Sequence, residues 1–265
     1  MTVSDDELAS QLAADAGHRL LELRSRGGDA GQLKDAGDRL SHEFLMAELA
    51  RARPADAVLS EEGADDLSRL SAHRVWIIDP LDGTREFGEQ GRADWAVHVA
   101  LWQAGDLIAG AVALPAQGQV LSTAAPPAPP GPSAQPLRLL ASRTRPPEFL
   151  AALATDLNAV LMPMGSAGAK AAAVIQGQAD AYVHAGGQYE WDSAAPVAVA
   201  LAAGLHASRI DGSALVYNQS HPYIPDILIC PDGIAATLLQ AIEKSRRTAQ
   251  PGDAHVITVQ RPGAA

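Results

Sequence analysis

The stretch "WIIDPLDGTREF", Trp76 to Phe87, drives an apolar run directly into two acids, Asp79 and Asp82, with Pro80 between them and Gly83-Thr84 behind. The run "RVWII" reads as a buried strand. A strand that ends this way delivers negative charge to one point, and solvation alone is a weak reason to do so.

Other acids arrive in the same manner. Glu61 and Glu62 follow the short strand "AVLS", and Asp192 opens a helix after "GGQYEW". Carboxylates at the ends of neighbouring strands repel in a partly buried site unless they are protonated or bridged by cations. Hard oxygen ligands without a His or Cys cluster suit magnesium, manganese or calcium, and not zinc. Taken singly, Asp79 reads equally well as a turn former beside Pro80, and Asp192 as a helix N-cap. Their joint occurrence favours a cation. In "LDGTREF", Gly83 permits close backbone approach, and Gly83 and Thr84 can start a helix whose free N–H groups hold a phosphate.

The chain has 265 residues, enough for one large domain or two intimate ones, and is 47% hydrophobic and 19% charged. Its formal net charge of -11 argues against a nucleic-acid or anionic-membrane partner. A single cysteine, Cys230, lies in an apolar run, which reads as a core residue in a reducing compartment. "MTVSDDELASQL" lacks a signal-peptide pattern and no apolar run reaches membrane-spanning length, so a soluble cytoplasmic protein is expected.

Ser4 and Glu7 form a capping box ahead of a helix striped with Leu8, Leu12, Ala16, Leu20 and Leu23 and ended by Gly27-Gly28. A second helix is expected from about Asp38 to Arg51, and Trp95 to Thr123 reads as an antiparallel meander. The segment 124–136, "AAPPAPPGPSAQP", reads as a Pro-rich loop or linker. Beyond it, "LRLLAS", "PPEFLAALATDL", "AVLMPMG", "AGAKAAAVIQG", "ADAYVH", "WDSAAPVAVALAAG", "ILIC" and "GIAATLLQAIEKSRR" alternate strand and helix, as in an α/β layered fold. The expected organisation is an N-terminal α+β half over 1–123, the linker, a C-terminal α/β half over 137–247 and a loose tail over 248–265. Within that tail "HVITV" is a candidate edge strand.

"LSEE", "WIIDPLDGTREF" and "WDSAA" together resemble the three metal-binding motifs of the lithium-sensitive, magnesium-dependent phosphatase superfamily. It includes inositol monophosphatases, fructose bisphosphatases and 3'(2'),5'-bisphosphate nucleotidases. The resemblance runs from the first helix to "DGSALVY", Asp211 to Tyr217. It implies a layered α-β-α-β-α sandwich of mixed α/β (α+β) class, two or three Mg2+ ions and inhibition by lithium. It makes Glu61, Asp79, Asp82 and Asp192 the carboxylate ligands, together with the main-chain carbonyl of Leu81. The N–H groups of Gly83 and Thr84 would hold the phosphate. Asp38, in "KDAGD", matches the acid that orients the attacking water with Thr84, although the Thr usual just before that acid is absent.

Other residues point to the nucleotidase branch. "DGTREF" has the basic-acidic-aromatic order typical of bisphosphate nucleotidases, "GSAGAK" resembles their Gly-x-Ala-Gly-x-Lys segment, and Pro196 stands where inositol monophosphatases usually have Gly. Ala185 replaces the Glu that the inositol branch uses for ring hydroxyls. "LLASRTRP", around Arg143, resembles the Ser-Arg-Ser segment of bacterial members acting on adenosine 3',5'-bisphosphate. Lys170, with Gly165-Ser166, and secondarily Arg143, would hold the phosphate that is not cleaved. The implied reaction is hydrolysis of adenosine 3',5'-bisphosphate to AMP in sulfur assimilation, with adenosine 3'-phosphate 5'-phosphosulfate as a second substrate. The alternatives are inositol 1-phosphate or fructose 1,6-bisphosphate hydrolysis and, outside enzymes, a metal- or phosphate-binding protein that has lost turnover. Dimers are common in the family, so a homodimer stays open.

Overall fold

The structure is a computed structural model and describes residues 3–131 and 135–249. Helix α1, Asp5–Ser25, starts on the expected capping box, with Glu7 N–H donating to Ser4 Oγ and Ser4 N–H to Glu7 Oε2, both at 3.2 Å. Helix α2, Ala30–Ala52, begins eight residues before the expected Asp38. Asp29 caps it by accepting from the N–H groups of Gly31 and Gln32, and Gly31 and Gly37 had weakened the helical signal of this first stretch. Asp38 is therefore held inside a helix.

Strands β1 (Ala57–Ser60), β2 (Arg74–Asp82), β3 (Ala96–Gln103), β4 (Asp106–Leu114) and β5 (Gln119–Ser122) form one sheet in that order. β1 and β2 are parallel and the rest antiparallel, as the meander reading required. The short helix α3, Thr84–Gly88, follows β2. The second sheet contains β6 (Arg138–Ser142), β7 (Val160–Met164), β8 (Ala181–Tyr189), β9 (Leu205–Ser208) and β10 (Tyr223–Pro231), ordered β7-β6-β8-β10-β9. Helices α4 (Leu150–Asp156), α5 (Ala167–Ile175), α6 (Glu190–Ala202) and α7 (Asp232–Ala249) complete the chain. Strand β8 continues past the expected His184 because Gly186 and Gly187, at φ 103° and 94°, form a bulge that keeps it paired with β10. The short β9 carried too little apolar pattern to be read. Residues 250–265, including "HVITV", lie outside the described residues.

The helices form three layers around the two sheets. α1 and α2 cover one face of the first sheet, α5 and α6 fill the space between the sheets, and α4 and α7 cover the far face of the second. This is the α-β-α-β-α sandwich. Strand β2 is buried on both sides: Val75 and Ile77 join the core with α5 and α6, while Trp76 and Ile78 join the core with α1 and α2. Cys230 is buried under α7, and burial pushes its thiol up to about 12. Among the described residues no helix is long and apolar enough to cross a membrane.

The two-sided burial of β2 has a measurable signature. Ile77→Ala and Ile78→Ala should each cost about 2–5 kcal/mol in chemical denaturation, as fully buried isoleucines do. A cost below about 1 kcal/mol for either would mean that one face of β2 is open, contrary to the layering.

Candidate active site

In a regular strand Asp79 and Asp82, three positions apart, would face opposite sides. Here β2 pairs Asp79 with His98 and Asp82 with Ala96, so Pro80 and Leu81 together oppose Val97. The bulge falls at Pro80, which has no N–H to give the ladder, and it lets both acids face one side. With Asp192 from the first turn of α6, they bring carboxylate oxygens within 4.8 Å of one another.

Asp79 Oδ1 accepts the Leu81 N–H at 3.0 Å, while Oδ2 is buried with no hydrogen-bond partner. Glu61, just after β1, lies close enough to Asp79 for one proton to bridge them. Asp192 accepts the Tyr189 N–H at 2.6 Å. A buried acceptor without a donor, ringed by further acceptors, fits a hard divalent cation. The same crowding shows in the acidities. Burial, then the charges of Glu61, Asp82 and Asp192, raise Asp79 well above the usual carboxylate range. Burial and then Asp82 raise Asp192 to about 6. Glu61 has surface open to the cavity, yet crowding on its protein side and the charge of Asp192 lift it to about 7.

Asp82 is the exception. Burial alone would raise it, but the His98 ring, the Ser166 hydroxyl and the Lys170 charge bring it down to about 2. Its carboxylate also accepts from the N–H groups of Ala167 and Gly168, at 3.1 and 2.6 Å, so it caps α5. His98, fully buried on β3, holds Nε2 at 3.3 Å from Asp82 and directs Nδ1 at the Trp191 carbonyl, 3.0 Å away. The glycines of "GSAGAK" follow from these contacts: a Cβ on Gly168 would lie 2.0 Å from His98 Nε2, and one on Gly165 2.4 Å from Glu86 Cδ. Sequence reading passed over His98, although a lone polar residue in the apolar run "AVHVALW", opposite Asp79, was the available signal.

Thr84, the first residue of α3 after Gly83 at φ 85°, directs its hydroxyl between Asp38 Oδ1 at 3.3 Å and the Leu81 carbonyl at 3.0 Å. Burial, followed by the charge of Glu62, lifts Asp38 to about 6, against the hydrogen bond from Thr84.

Beyond these acids opens a cavity of about 500 Å³ lined by Glu61, Asp82, Gly83, Asp192 and residues of the second sheet. Arg143, Gly165, Ser166 and Lys170 all line it. Their donors are partly engaged. The Gly165 N–H, expected to meet phosphate, is taken by Asp94 at 2.8 Å, and the Ser166 hydroxyl goes to Asp82. Arg143 pairs with Glu86 at 2.6 Å and Glu89 at 2.9 Å, which raise its pKa further. Lys170 is buried rather than solvated. It donates to the carbonyls of Gly165 and Ser166 at 2.6 and 2.7 Å, and burial lowers it to about 8. Arg145, not singled out from the sequence, also lines the cavity and makes no ion pair among the described residues.

A further network ties the site together from behind. Glu190, buried two residues before Asp192, accepts the N–H groups of Asn218 and Gln219 at 2.6 and 2.8 Å. Arg69, 1% exposed, bonds Asp65, the Asn218 side chain and the Gln219 carbonyl. The segment after Glu61 and the start of α6 are thereby clamped to one loop.

The chain matches the model of the inositol monophosphatase family over residues 5–127 and 133–247. It is 52% identical over 247 residues to a Mycobacterium tuberculosis protein named 3'-phosphoadenosine 5'-phosphate phosphatase, covering 88% of this chain and 91% of that one. To the Escherichia coli 3'(2'),5'-bisphosphate nucleotidase CysQ it is 30% identical over 200 residues, 71% of this chain and 81% of the other. The crystal structure of CysQ from Bacteroides thetaiotaomicron superimposes with a TM-score of 0.75 at 25% identity, covering 84% of this chain and 96% of that one.

The raised acidities give a stability signature. Carboxyls whose folded pKa exceeds the unfolded value of about 4 stabilise the fold when protonated, and that contribution is lost as pH rises through the folded values. With Asp192 near 6 and Glu61 near 7, the Tm of the metal-free protein should fall between pH 5 and pH 8. Magnesium should flatten that slope by replacing protons. A metal-free Tm that holds steady or climbs over this range, or a slope indifferent to magnesium, would rule out a cation site built on this cluster.

Proposed function

The chain belongs to the inositol monophosphatase family, and from that premise we propose that it hydrolyses the 3'-phosphate of adenosine 3',5'-bisphosphate, giving AMP and phosphate. The observation that carries this reading is the 52% identity to a named 3'-phosphoadenosine 5'-phosphate phosphatase over nearly the whole chain. The acid cluster at the mouth of a cavity lined by Lys170, Arg143 and Arg145 supports it.

Glu61, Asp79, Asp82, Asp192 and the Leu81 carbonyl would hold two or three magnesium ions. Bound there, magnesium supplies charge neutralisation for the phosphoryl oxygens and lowers the pKa of water. The protein's own residues do the rest. Thr84 can pass its hydroxyl proton toward Asp38, 3.3 Å away, leaving its oxygen to accept a proton from an attacking water. A carboxylate lifted to about 6 is a better proton acceptor near neutrality than an ordinary aspartate. The water oxygen bonds to phosphorus as the bond to the 3'-oxygen breaks, the 3'-oxygen takes a proton from solvent to become the hydroxyl of AMP, and the Gly83 and Thr84 N–H groups hold the phosphate in line. Lys170 supplies positive charge from the cavity wall for the phosphate that stays.

Steady-state phosphate release with magnesium, comparing adenosine 3',5'-bisphosphate, inositol 1-phosphate and fructose 1,6-bisphosphate, tests the reading. The nucleotide should have the highest kcat/KM. Lys170→Met, which keeps the buried stem, should lower that value about tenfold while sparing the inositol ester. Equal or better turnover of inositol 1-phosphate would refute the substrate assignment. Asp38→Asn and Thr84→Ala should each lower kcat by about 10²–10⁴-fold with the fold intact by circular dichroism. Wild-type rates in both would exclude their role, and no release by the wild-type protein on any ester would favour a binding protein.

A further inference from the structure

Three of the chain's four tyrosines, Tyr182, Tyr189 and Tyr223, line the cavity beside the acid cluster, in a protein with only 4% aromatic residues. Tyr182 is buried, but Tyr189 and Tyr223 are 46% and 42% exposed. Tyr189 lies flat on Trp191, with ring centroids 4.7 Å apart and planes 11° from parallel. Tyr223 stands edge-on to Tyr189, at 6.3 Å and 81°. Its hydroxyl crosses Gly187, where a Cβ would sit 2.2 Å away, so the chain has given up a side chain to let the ring lie there. Together the two rings form an aromatic corner with open faces, fixed from below by Trp191, which directly precedes Asp192.

The same cavity wall contains two polar groups without partners among the described residues. Gln188, 8% exposed, accepts from the Tyr182 hydroxyl at 3.3 Å through Oε1, while its Nε2 has no protein acceptor. His184, 7% exposed, donates Nε2–H to the Gly187 carbonyl at 3.0 Å, which leaves Nδ1 without a partner. Open aromatic faces together with a buried donor and a buried acceptor suit a flat heteroaromatic ring with polar edges. A sugar phosphate or polyol phosphate would have no flat ring for the corner.

We propose that Tyr189 and Tyr223 are the stacking site for the nucleotide base, and so decide between nucleotides and other phosphate esters; this rests on the nucleotidase reading above. The phosphate chemistry then belongs to Asp38, Thr84 and the acid cluster, and the choice of alcohol to the aromatic corner. The carboxylate of Asp192 is held by the main-chain N–H of Tyr189, which side-chain substitution leaves in place.

The test compares kcat/KM for adenosine 3',5'-bisphosphate with that for methyl riboside 3,5-bisphosphate, which has both phosphates and no base. Wild-type protein should prefer the nucleotide. Tyr189→Ala and Tyr223→Ala should each reduce that preference roughly tenfold, the scale of losing one base–aromatic stack, and Tyr→Phe at either position should restore it. A wild-type preference that survives both alanine substitutions would overturn the aromatic corner while leaving the nucleotidase reading intact. Wild-type protein that does not distinguish the two esters would likewise overturn the corner, whereas failure to hydrolyse the nucleotide at all would overturn the nucleotidase reading on which it rests. Should an alanine variant fail to fold, Tyr189→Leu and Tyr223→Leu read out the same ratio with bulk retained and the π face removed.

Discussion

The structure depends on holding several carboxylates at one buried point. Asp79, Asp82 and Asp192 converge within 4.8 Å, and Glu61 crowds Asp79. Like charges at this spacing in a medium of low dielectric repel strongly, and the fold answers unevenly. Asp82 keeps its charge because His98, the Ser166 hydroxyl and two N–H groups at the start of α5 converge on it. Asp79 receives one main-chain donor and is left with a bare buried oxygen. Asp82 thus also anchors the fold, while Asp79 keeps an oxygen with no donor among the described residues. A site made only of unsatisfied acids would push its elements apart, and one made only of satisfied acids would have nothing left to bind metal.

That division explains why the two sheets cannot be treated as separate pieces. Asp82 ends a strand of the first sheet, yet its donors come from α5, in the second half of the chain. His98 lies on the first sheet and reaches the Trp191 carbonyl at the start of α6. Arg69 and Glu190 grip the same loop, at 218–219, from opposite halves. Each of these links is buried and polar, so each is costly to leave half-made. The register between the sheets, and with it the distance from Asp192 to Asp79 and Asp82, is fixed by bonds that fail together.

Much of this was legible in the sequence because it was written in local patterns. "WIIDPLDGTREF" displays its strand and its acids within one stretch, and the capping box at Ser4 and Glu7 announces α1, whereas the bulge at Pro80 shows only in the pairing with β3. The early start of α2 was hidden by Gly31 and Gly37, whose low helix propensity is overridden by the Asp29 cap and by packing of Gly37 against Phe87 and Leu81. His98, Glu190 and Arg69 were illegible for a different reason. Their partners across the fold lie 16, 28 and 149 positions away, and although His98 stands out in its apolar run, no local pattern names the partner of a buried polar residue. The lysine in "GSAGAK" stood out as the one charge in an apolar helix, but its bonds to the Gly165 and Ser166 carbonyls depend on a turn that the sequence pattern does not show.

The positions of the polar and aromatic residues around the cavity follow a single logic. The charged and polar groups at the cavity sit where the backbone is rigid: at the bulge in β2, at the first turns of α3 and α6, and at the buried start of α5. The bulge at Gly186 and Gly187 does the complementary work on β8. By keeping that strand paired with β10 as far as Tyr189, it brings Tyr189 opposite Tyr223 in register and leaves room over Gly187 for the Tyr223 ring. Replacing either glycine by a residue that disfavours positive φ would shift this wall while leaving the acids on β2 untouched, because the two walls share no hydrogen-bond ladder. Asp192 does not share that independence: its carboxylate accepts the Tyr189 N–H, so a change in this wall reaches the acid cluster through that one member.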